Sequence, residues 1–338
     1  MIAFIELVAT NYPLVFRHTG IMKLMCLHGY GTSGAIFQRQ LSPIIEALGR
    51  NHQWIFVDGE VDVGASDLAE YHTGPYHAYH EGIEPTAVQT AHDLIDAVLD
   101  EEGPFDGVVA FSQGASLAIS YILQHKRQHP REPSPFGFAV LFSPGFVLSP
   151  DLDYKRHILK PLVNHMTFER FQALLSKPLN CQQKLTMAEV YKMQHLDERE
   201  KNAVYEVLQT AVSVLGTRRS LGFENDEVFF KTTANGMIDE EAFPRFFHPV
   251  YTTELISIPT VHVVGRQEPP SLRRLATVAR DFCEKSCMTV FEHGDGHRPP
   301  RNPGDVMAVV SAIEQANMFS QMQRTMSTIK ARRQMACL

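Results

Sequence analysis

The sequence has little of several features that would assign a protein class at once. Only five of its 338 residues are cysteines, an odd number at irregular spacing, which argues against a disulfide framework and fits a reducing compartment. No run of 18 apolar residues occurs, so the sequence predicts no membrane span. The formal net charge is −7 and no basic run precedes the last residues, which makes nucleic acid a poor candidate partner.

Targeting signals are also missing from the two ends. Residues 1–20 have neither a basic leading region nor a small-x-small cleavage site, so we expect an N-terminal extension rather than a signal peptide. Cys337 is one residue from the end, whereas prenylation needs a cysteine four from the end. A cytoplasmic protein is therefore expected.

Apolar residues make up 44% of the chain, and many of them stand in short runs bounded by turn residues. Such runs are typical of strands buried on both faces of a parallel sheet. Six runs are predicted as strands: Ile21–Leu27, Trp54–Val57, Gly107–Phe111, Phe136–Phe142, Thr260–Val264 and Met288–Phe291. Segments with helical periodicity separate several of them: Phe37–Leu48, Thr86–Leu99, Ala115–Leu123, Leu272–Cys283 and Val306–Ile313. This alternation predicts an α/β fold, a mostly parallel sheet flanked by helices.

The alternation is interrupted once, over residues 143–258, a stretch of 116 residues. A crossover needs only about 10–12 residues, so this stretch is predicted to be a helical lid insertion. Its helices are expected at Met166–Leu175, Met187–Tyr191 and Glu198–Leu215. The core is then residues 21–142 and 259–317, followed by a C-terminal tail, residues 318–338, expected as a frayed, solvated terminal helix.

The segment Gly107–Ala115 reads Gly-Val-Val-Ala-Phe-Ser-Gln-Gly-Ala, the form of a nucleophile elbow with Ala110 in place of the first glycine. In so tight a turn, Ala110 and Gly114 are expected to come into contact, so both must be small. We expect the Ser112 hydroxyl above the end of the strand, with the Gln113 N–H aimed at the same point from the start of a helix. The alternative is an ordinary turn in which Ser112 caps the helix.

A glycine-rich segment, His28–Gly34 (His-Gly-Tyr-Gly-Thr-Ser-Gly), follows the first strand. Its three glycines match G-x-G-x-x-G, and Asp58 ends the next strand, the form of a dinucleotide fingerprint. The rival interpretation is an oxyanion loop in which the Tyr30 N–H points at developing negative charge. His28 favours that interpretation, because a nucleotide site gives no reason for it. A third possibility is a glycine-rich turn that binds nothing.

Two histidines flank the loop after the last predicted strand. In a hydrolase of this architecture, the base follows the acid in the chain, and His297 suits that place. Glu268, at the end of the preceding strand, is the expected acid, and Asp295 is the alternative. Ser112, Glu268 and His297 then stand at successive strand ends in the order that such a hydrolase requires.

A zinc site was the competing interpretation of this region, through Cys283, Cys287, His293 and His297. Only five residues separate the cysteine pair from the histidine pair, well below the about 12 that let a zinc finger fold back. Cys283 also lies on a predicted helix face. The sequence therefore favours a protein without a metal ion.

These segments resemble the fungal serine hydrolase family of α/β-hydrolases. The blocks that carry the resemblance are Met22–Ser33, Gly103–Ala115, His262–Gly265 and Gly296–Pro300. The resemblance covers about residues 22–145 and 255–316 and implies an α/β-hydrolase fold and a Ser-acid-His hydrolase that uses no cofactor. Several family members are free-standing thioesterases of polyketide pathways that release an acyl chain from a carrier protein. This sequence departs from the family in Ala110, in Glu268 where aspartate is usual, and in its long insertion.

The sequence thus predicts a serine hydrolase that cleaves an ester or thioester through an acyl-enzyme. Ser112 is the expected nucleophile, His297 the base and Glu268 the acid, with the Tyr30 and Gln113 N–H groups holding the oxyanion. A free-standing thioesterase acting on an acyl-carrier domain is the expected activity, and a general carboxylesterase is the alternative. A nucleotide-dependent oxidoreductase is a remote third, since it leaves Ser112, Glu268 and His297 without a role.

Overall fold

The computed structural model describes most of the chain outside the centre of the insertion. The described residues are 20–64, 73–157, 160, 196–202, 204–205, 233, 235 and 239–336. Of the helices predicted inside the insertion, only the beginning of Glu198–Leu215 falls within them, and the segments Met166–Leu175 and Met187–Tyr191 lie outside. Within the described residues, no helix combines the length and the apolar composition needed to cross a membrane.

Six parallel strands form one sheet: β1 Lys23–Leu27, β2 Gln53–Val57, β5 Gly107–Phe111, β6 Phe138–Phe142, β7 Thr260–Gly265 and β8 Met288–His293. Their spatial order is β2-β1-β5-β6-β7-β8. A short antiparallel pair, β3 Val61–Asp62 with β4 His77–Ala78, lies outside this sheet. All six predicted strands are confirmed within two residues at each end, and so is the parallel α/β architecture.

Helices cover both faces of the sheet. They are α1 Gly34–Leu48, α2 Pro85–Glu102, α3 Gln113–Gln128, α4 Pro270–Arg280 and α5 Pro303–Ala336. Alternate residues of β5 pack in two separate hydrophobic cores, because successive side chains of a strand point to opposite faces of the sheet. Val108 packs in the core that contains residues of α2, α3 and α4, whereas Val109 packs in the core that contains residues of α1 and α5.

The last helix is longer than the periodic segment Val306–Ile313 on which it was predicted. It continues past residue 317, where the tail was expected to begin, and runs to Ala336. The sequence explains this length, because neither glycine nor proline occurs after Gly304 and nothing local stops the helix. Ser320 is still buried, so the helix packs on the body beyond the expected boundary.

The two ends of the predicted insertion lie side by side on the body. Leu148 forms an antiparallel bridge with Phe246, and the Phe247 N–H donates to the Val147 carbonyl at 2.9 Å. Val147 and Phe247 are buried in the core shared with α3 and α4. The described residues at the two ends of the predicted insertion are therefore in contact on the body, and the insertion itself stays a prediction.

Candidate active site

Ser112 joins β5 to α3 through a strained backbone turn. Its φ of 52° and ψ of −114° lie where non-glycine residues are rarely found. The side chain forms no capping hydrogen bond to the helix, so the alternative of an ordinary capping serine is wrong. The Ser112 N–H donates to the Phe142 carbonyl at 2.9 Å, which ties the turn to the end of β6.

Position 114 requires glycine because of the backbone at the end of β1, whereas the motif spacing predicts a close contact with Ala110. A Cβ atom at this position would collide with the backbone carbonyl oxygens of Leu27 and His28, the latter at 2.6 Å. The Gly114 N–H also donates to the His28 carbonyl at 3.1 Å. The close neighbour is therefore the end of β1, and the expected contact with Ala110 is not what demands a glycine here.

His297 is placed between a hydroxyl and a carboxylate. Its Nε2 lies 3.0 Å from the Ser112 Oγ, and its Nδ1 lies 3.3 Å from the Glu268 Oε2. The ring packs on Phe111, with centroids 5.0 Å apart, so it is held from the side as well. The Nδ1–Oε2 contact does not reach hydrogen-bond geometry, and neither atom has another partner among the described residues. Such contacts commonly tighten when substrate binds.

The carboxylate that faces the His297 Nδ1 belongs to Glu268, whereas Asp295 has other partners. The Glu268 side chain is fully buried, and its second oxygen, Oε1, accepts hydrogen bonds from the Gly265 N–H at 3.0 Å and from the Ser143 hydroxyl. Asp295 instead accepts from the Arg298 guanidinium at 3.1 Å and from a backbone N–H. Asp295 therefore braces the loop that carries His297.

The charge of Glu268 is maintained by its partners. Burial by itself raises the pKa of this carboxyl, but contacts with His297, Ser143 and the Gly265 N–H outweigh it and hold the pKa below its usual value. The group is therefore a carboxylate throughout the range in which an imidazole titrates. A buried carboxylate beside Nδ1 stabilises a positive charge on the imidazole.

The glycine-rich loop after β1 lies against the serine. A Cβ atom on Gly29 would meet the Phe111 ring and lie 3.3 Å from the Ser112 Cβ, so the backbone passes directly beside the nucleophile position. Tyr30 is the next residue along this loop. Gln113 is the first residue of α3, where a backbone N–H has no acceptor within the helix.

The buried His28 side chain holds the glycine-rich loop in place through hydrogen bonds. Burial lowers the pKa of His28 to about 4, so the ring is neutral. Its Nε2 accepts from the Gly59 N–H at 3.0 Å, which leaves the proton on Nδ1 to be donated to the Gly29 carbonyl at 2.7 Å. The Tyr79 ring stacks on the imidazole, with centroids 4.7 Å apart. The buried histidine therefore supports the loop and takes no part in proton transfer.

The structure gives the residues of the dinucleotide fingerprint internal roles. The Asp58 carboxylate accepts from the Gly34 N–H at 2.6 Å, at the start of α1 where a pyrophosphate would have to bind. The Gly31 N–H donates to the His77 carbonyl at 3.0 Å. A negative charge already occupies the helix N-terminus, which opposes binding of a second anion.

The arrangement of the four residues proposed as zinc ligands also argues against the zinc interpretation. Among the described residues, no group of three or more His, Cys, Asp or Glu side chains is arranged to hold a metal ion. Cys283 is buried, and this burial raises the pKa of its thiol to about 12. Both ring nitrogens of His297 lie against other partners, Ser112 and Glu268.

Residues 19–309 match the family described as Serine hydrolase (FSH1). The chain belongs to this serine hydrolase family. Esterase alnB of Emericella nidulans is 32% identical over 302 residues, which cover 89% of this chain and 98% of the relative. Serine hydrolase cnsH of Penicillium expansum is 27% identical over 243 residues, 71% of this chain and 89% of the relative.

Among solved structures, that of SOBER1 from Arabidopsis thaliana aligns with 88% of this chain and 99% of its own, at 12% identity and a TM-score of 0.42. Membership of the serine hydrolase family confirms the resemblance drawn from the sequence motifs, and with it the prediction of a hydrolytic enzyme.

Sequence reasoning missed one residue at the site of this serine hydrolase, Ser143, and the side-chain role of Gln113, for which only the backbone N–H was predicted to act. Ser143, directly after β6, donates to Glu268. The Gln113 side chain accepts from the Tyr79 N–H at 3.1 Å and donates to the His80 carbonyl at 2.6 Å, which ties the start of α3 to the loop after β4. A small polar residue immediately after a buried strand was the available signal for Ser143.

Proposed function

We propose that Ser112, His297 and Glu268 form a catalytic triad that hydrolyses an ester or thioester through an acyl-enzyme. The observation that carries the proposal is the 3.0 Å contact between the Ser112 Oγ and the His297 Nε2, on a strained turn and with a buried carboxylate behind the ring. A serine is a weak nucleophile until a base within hydrogen-bond distance accepts its proton.

The proposed reaction begins when His297 accepts the Ser112 proton and the serine oxygen attacks the substrate carbonyl. His297 then returns the proton to the leaving alkoxide or thiolate. A water molecule, deprotonated by the same imidazole, attacks the acyl-enzyme and releases the acid. Glu268 orients the ring and stabilises its charged form during both steps.

The oxyanion is assigned to the backbone N–H groups of Tyr30 and Gln113. The loop that contains Gly29 touches Ser112, and α3 begins at Gln113, so both groups are on segments beside the nucleophile. The positive end of the α3 dipole adds to the stabilisation of negative charge there. Loss of one such donor typically costs 10²- to 10³-fold in rate.

For the substrate, we favour a free-standing thioesterase that releases a polyketide or similar acyl chain from a carrier protein. The support is the family resemblance, together with the helical insertion predicted over residues 143–258, which could close over an acyl chain as a lid. A general carboxylesterase fits the geometry equally well, and the name of the relative Esterase alnB favours it.

A fluorophosphonate probe tests the nucleophile. The wild-type protein should be labelled and the Ser112→Ala variant should not, because only an activated serine reacts with the probe. Ser42→Ala is the matched control, since Ser42 is an exposed helical serine remote in sequence from the site. An unlabelled but folded wild-type protein would remove the enzymatic proposal.

The substrate class is tested by presenting one acyl group in two forms, as an acyl-carrier thioester and as a simple ester. We expect kcat/KM to be higher for the carrier-bound thioester. Equal or higher kcat/KM on the simple ester would assign the carboxylesterase activity instead. Ser112→Ala gives the background rate for both substrates.

A further inference from the structure

Ser143 stands at the exit of β6 in an uncommon conformation. Its φ is +47°, in the left-handed region that non-glycine residues rarely adopt. Only 3% of its surface is exposed, and its N–H donates to the Val263 carbonyl at 2.9 Å, which fixes the backbone against β7. A strained residue held by its neighbours is characteristic of functional sites.

The strained backbone directs the Ser143 hydroxyl to Glu268. The hydroxyl donates to Oε1, the same oxygen that accepts the Gly265 N–H at 3.0 Å. The other oxygen, Oε2, lies 3.3 Å from the His297 Nδ1. One oxygen of the carboxylate is therefore anchored and the other is presented to the imidazole.

The loop that carries Glu268 is positioned by backbone contacts and by one hydrogen bond of 3.4 Å from the Arg273 side chain to the Arg266 carbonyl. The Arg266 N–H donates to the His293 carbonyl at 2.9 Å, and the Gln267 N–H donates to the Asp295 carbonyl at 3.1 Å. These contacts set the distance between the acid and histidine loops but do not act on the glutamate side chain, whose Oε1 is held by the Gly265 N–H and the Ser143 hydroxyl. A glutamate, one methylene longer than aspartate, needs an additional contact to hold its plane.

We propose that Ser143 is a positioning residue that aims the Glu268 carboxylate at His297. The proposal rests on the triad proposed above. Ser143 does not touch the reacting atoms, and it acts through Glu268. The direction of the Glu268 pKa shift agrees with this role, since donation from Ser143 is one of the contacts that favour the ionised form.

The test compares Ser143→Ala, Ser143→Gly and Ser143→Cys on a fixed ester substrate. A hydrogen bond to a charged group is worth enough to change a rate roughly ten- to a hundredfold. Ser143→Ala and Ser143→Gly should lose this factor in kcat with KM nearly unchanged. Ser143→Cys keeps a weak donor and should recover part of the rate. The buried Ser149, which is not in contact with Glu268, gives the matched control Ser149→Ala, for which kcat should stay at the wild-type value.

Ser143→Gly separates the hydroxyl from the backbone strain. Glycine adopts a positive φ without cost, so a residue needed only for the turn would leave this variant fully active, and that result would overturn the proposal. A second check repeats Ser143→Ala in a Glu268→Gln background. The serine change should then have little further effect, whereas an undiminished loss would show that Ser143 does not act through Glu268.

Fluorophosphonate labelling distinguishes the two possible failures. If the folded wild-type protein is not labelled, the triad itself is wrong. If it is labelled and the Ser143 variants keep the wild-type kcat, only the positioning role is wrong. Thermal unfolding of each variant is measured alongside, so that Ser143→Gly and Ser143→Cys decide the matter even if Ser143→Ala does not fold.

Discussion

At the scale of single residues, the site depends on two backbone conformations that residues other than glycine rarely adopt. Ser112 and Ser143 both have positive φ values without being glycine. Each costs roughly 1–3 kcal/mol that the surrounding sheet must offset. Because Ser112 donates its N–H to the carbonyl before Ser143, the two strained residues share one contact between β5 and β6. Strain of this kind is maintained only where neighbouring strands fix both ends of the turn.

Gly114 offers a direct test of this tightness. Gly114→Ala places a methyl group against the backbone carbonyls of Leu27, the last residue of β1, and of His28, which follows it. We expect a loss of roughly 1–3 kcal/mol in the free energy of unfolding and a larger loss of activity, because the Ser112 turn must shift. Chemical denaturation and ester hydrolysis measure the two effects. Gly294→Ala is the control, since a Cβ atom there meets nothing within 4 Å. Equal behaviour of the two variants would contradict the explanation.

At the scale of the elements, the sheet places a histidine where it has no hydrogen-bond partner. His262 lies in the middle of β7 with no exposed surface, and neither ring nitrogen has a partner among the described residues. Burial lowers the pKa of His262 to about 3, with the Arg280 charge adding in the same direction. His92 behaves in the same way, although its Nε2 contacts the Ser120 hydroxyl at 2.8 Å. Val261 and Val263 pack in the core with α1 and α5, so His262 between them points to the opposite face. The face covered by α2, α3 and α4 therefore contains both neutral imidazoles.

These histidines predict how stability depends on pH. A histidine whose pKa is lowered on folding binds its proton more readily in the unfolded state. Its stabilising effect is therefore complete above the unfolded pKa of about 6.5, and is lost as the pH falls from there towards the folded value of about 3. Each such group reduces the free energy of unfolding by about 1.4 kcal/mol per pH unit in that range.

His262→Leu should reduce this acid sensitivity. We expect the variant to be as stable as the wild type or more so at pH 7, because two buried nitrogens without partners are removed. Urea denaturation from pH 7 to pH 4 should show a shallower loss of stability. His129→Leu, at an exposed position after α3, is the control. If the free energy of unfolding of His262→Leu depends on pH as in the wild type, protonation of His262 does not destabilise the fold and the prediction is wrong.

At the scale of the whole molecule, the described residues at the two ends of the predicted insertion contact each other. The Arg156 Nε contacts the Glu240 Oε1 at 2.6 Å, and the buried Arg245 guanidinium donates to the carbonyls of Leu152, Phe243 and Glu240. Chain segments more than 80 residues apart in the sequence are therefore held together by side-chain contacts.

Replacing residues 158–238 by a short Gly/Ser linker should leave the core folded, because its two ends remain in contact. We expect the shortened protein to react with the fluorophosphonate but to lose its preference among acyl chain lengths, measured as kcat/KM over an ester series. A Ser112→Ala version of the shortened protein controls for labelling elsewhere. Unchanged chain-length preference would rule out the lid as the selector of substrate.

The sequence by itself predicted the strands and the α/β class and singled out Ser112 and His297 as candidates, because strand periodicity and the elbow are local patterns. The dinucleotide fingerprint is local too, and it remained ambiguous until the Asp58–Gly34 contact gave Asp58 a structural role. Local patterns show which residue types are present, but not which of these residues contact each other in the folded chain.

Only the tertiary structure decided which carboxylate faces His297, since Glu268 and Asp295 both follow strands that end beside it. It also brought Ser143 to Glu268, across 125 residues of sequence, and Ser112 to His297, across 185. The physical reason is the parallel sheet: it gathers the carboxyl ends of distant strands at one edge, and the register between those strands, which no local pattern encodes, sets the contacts there.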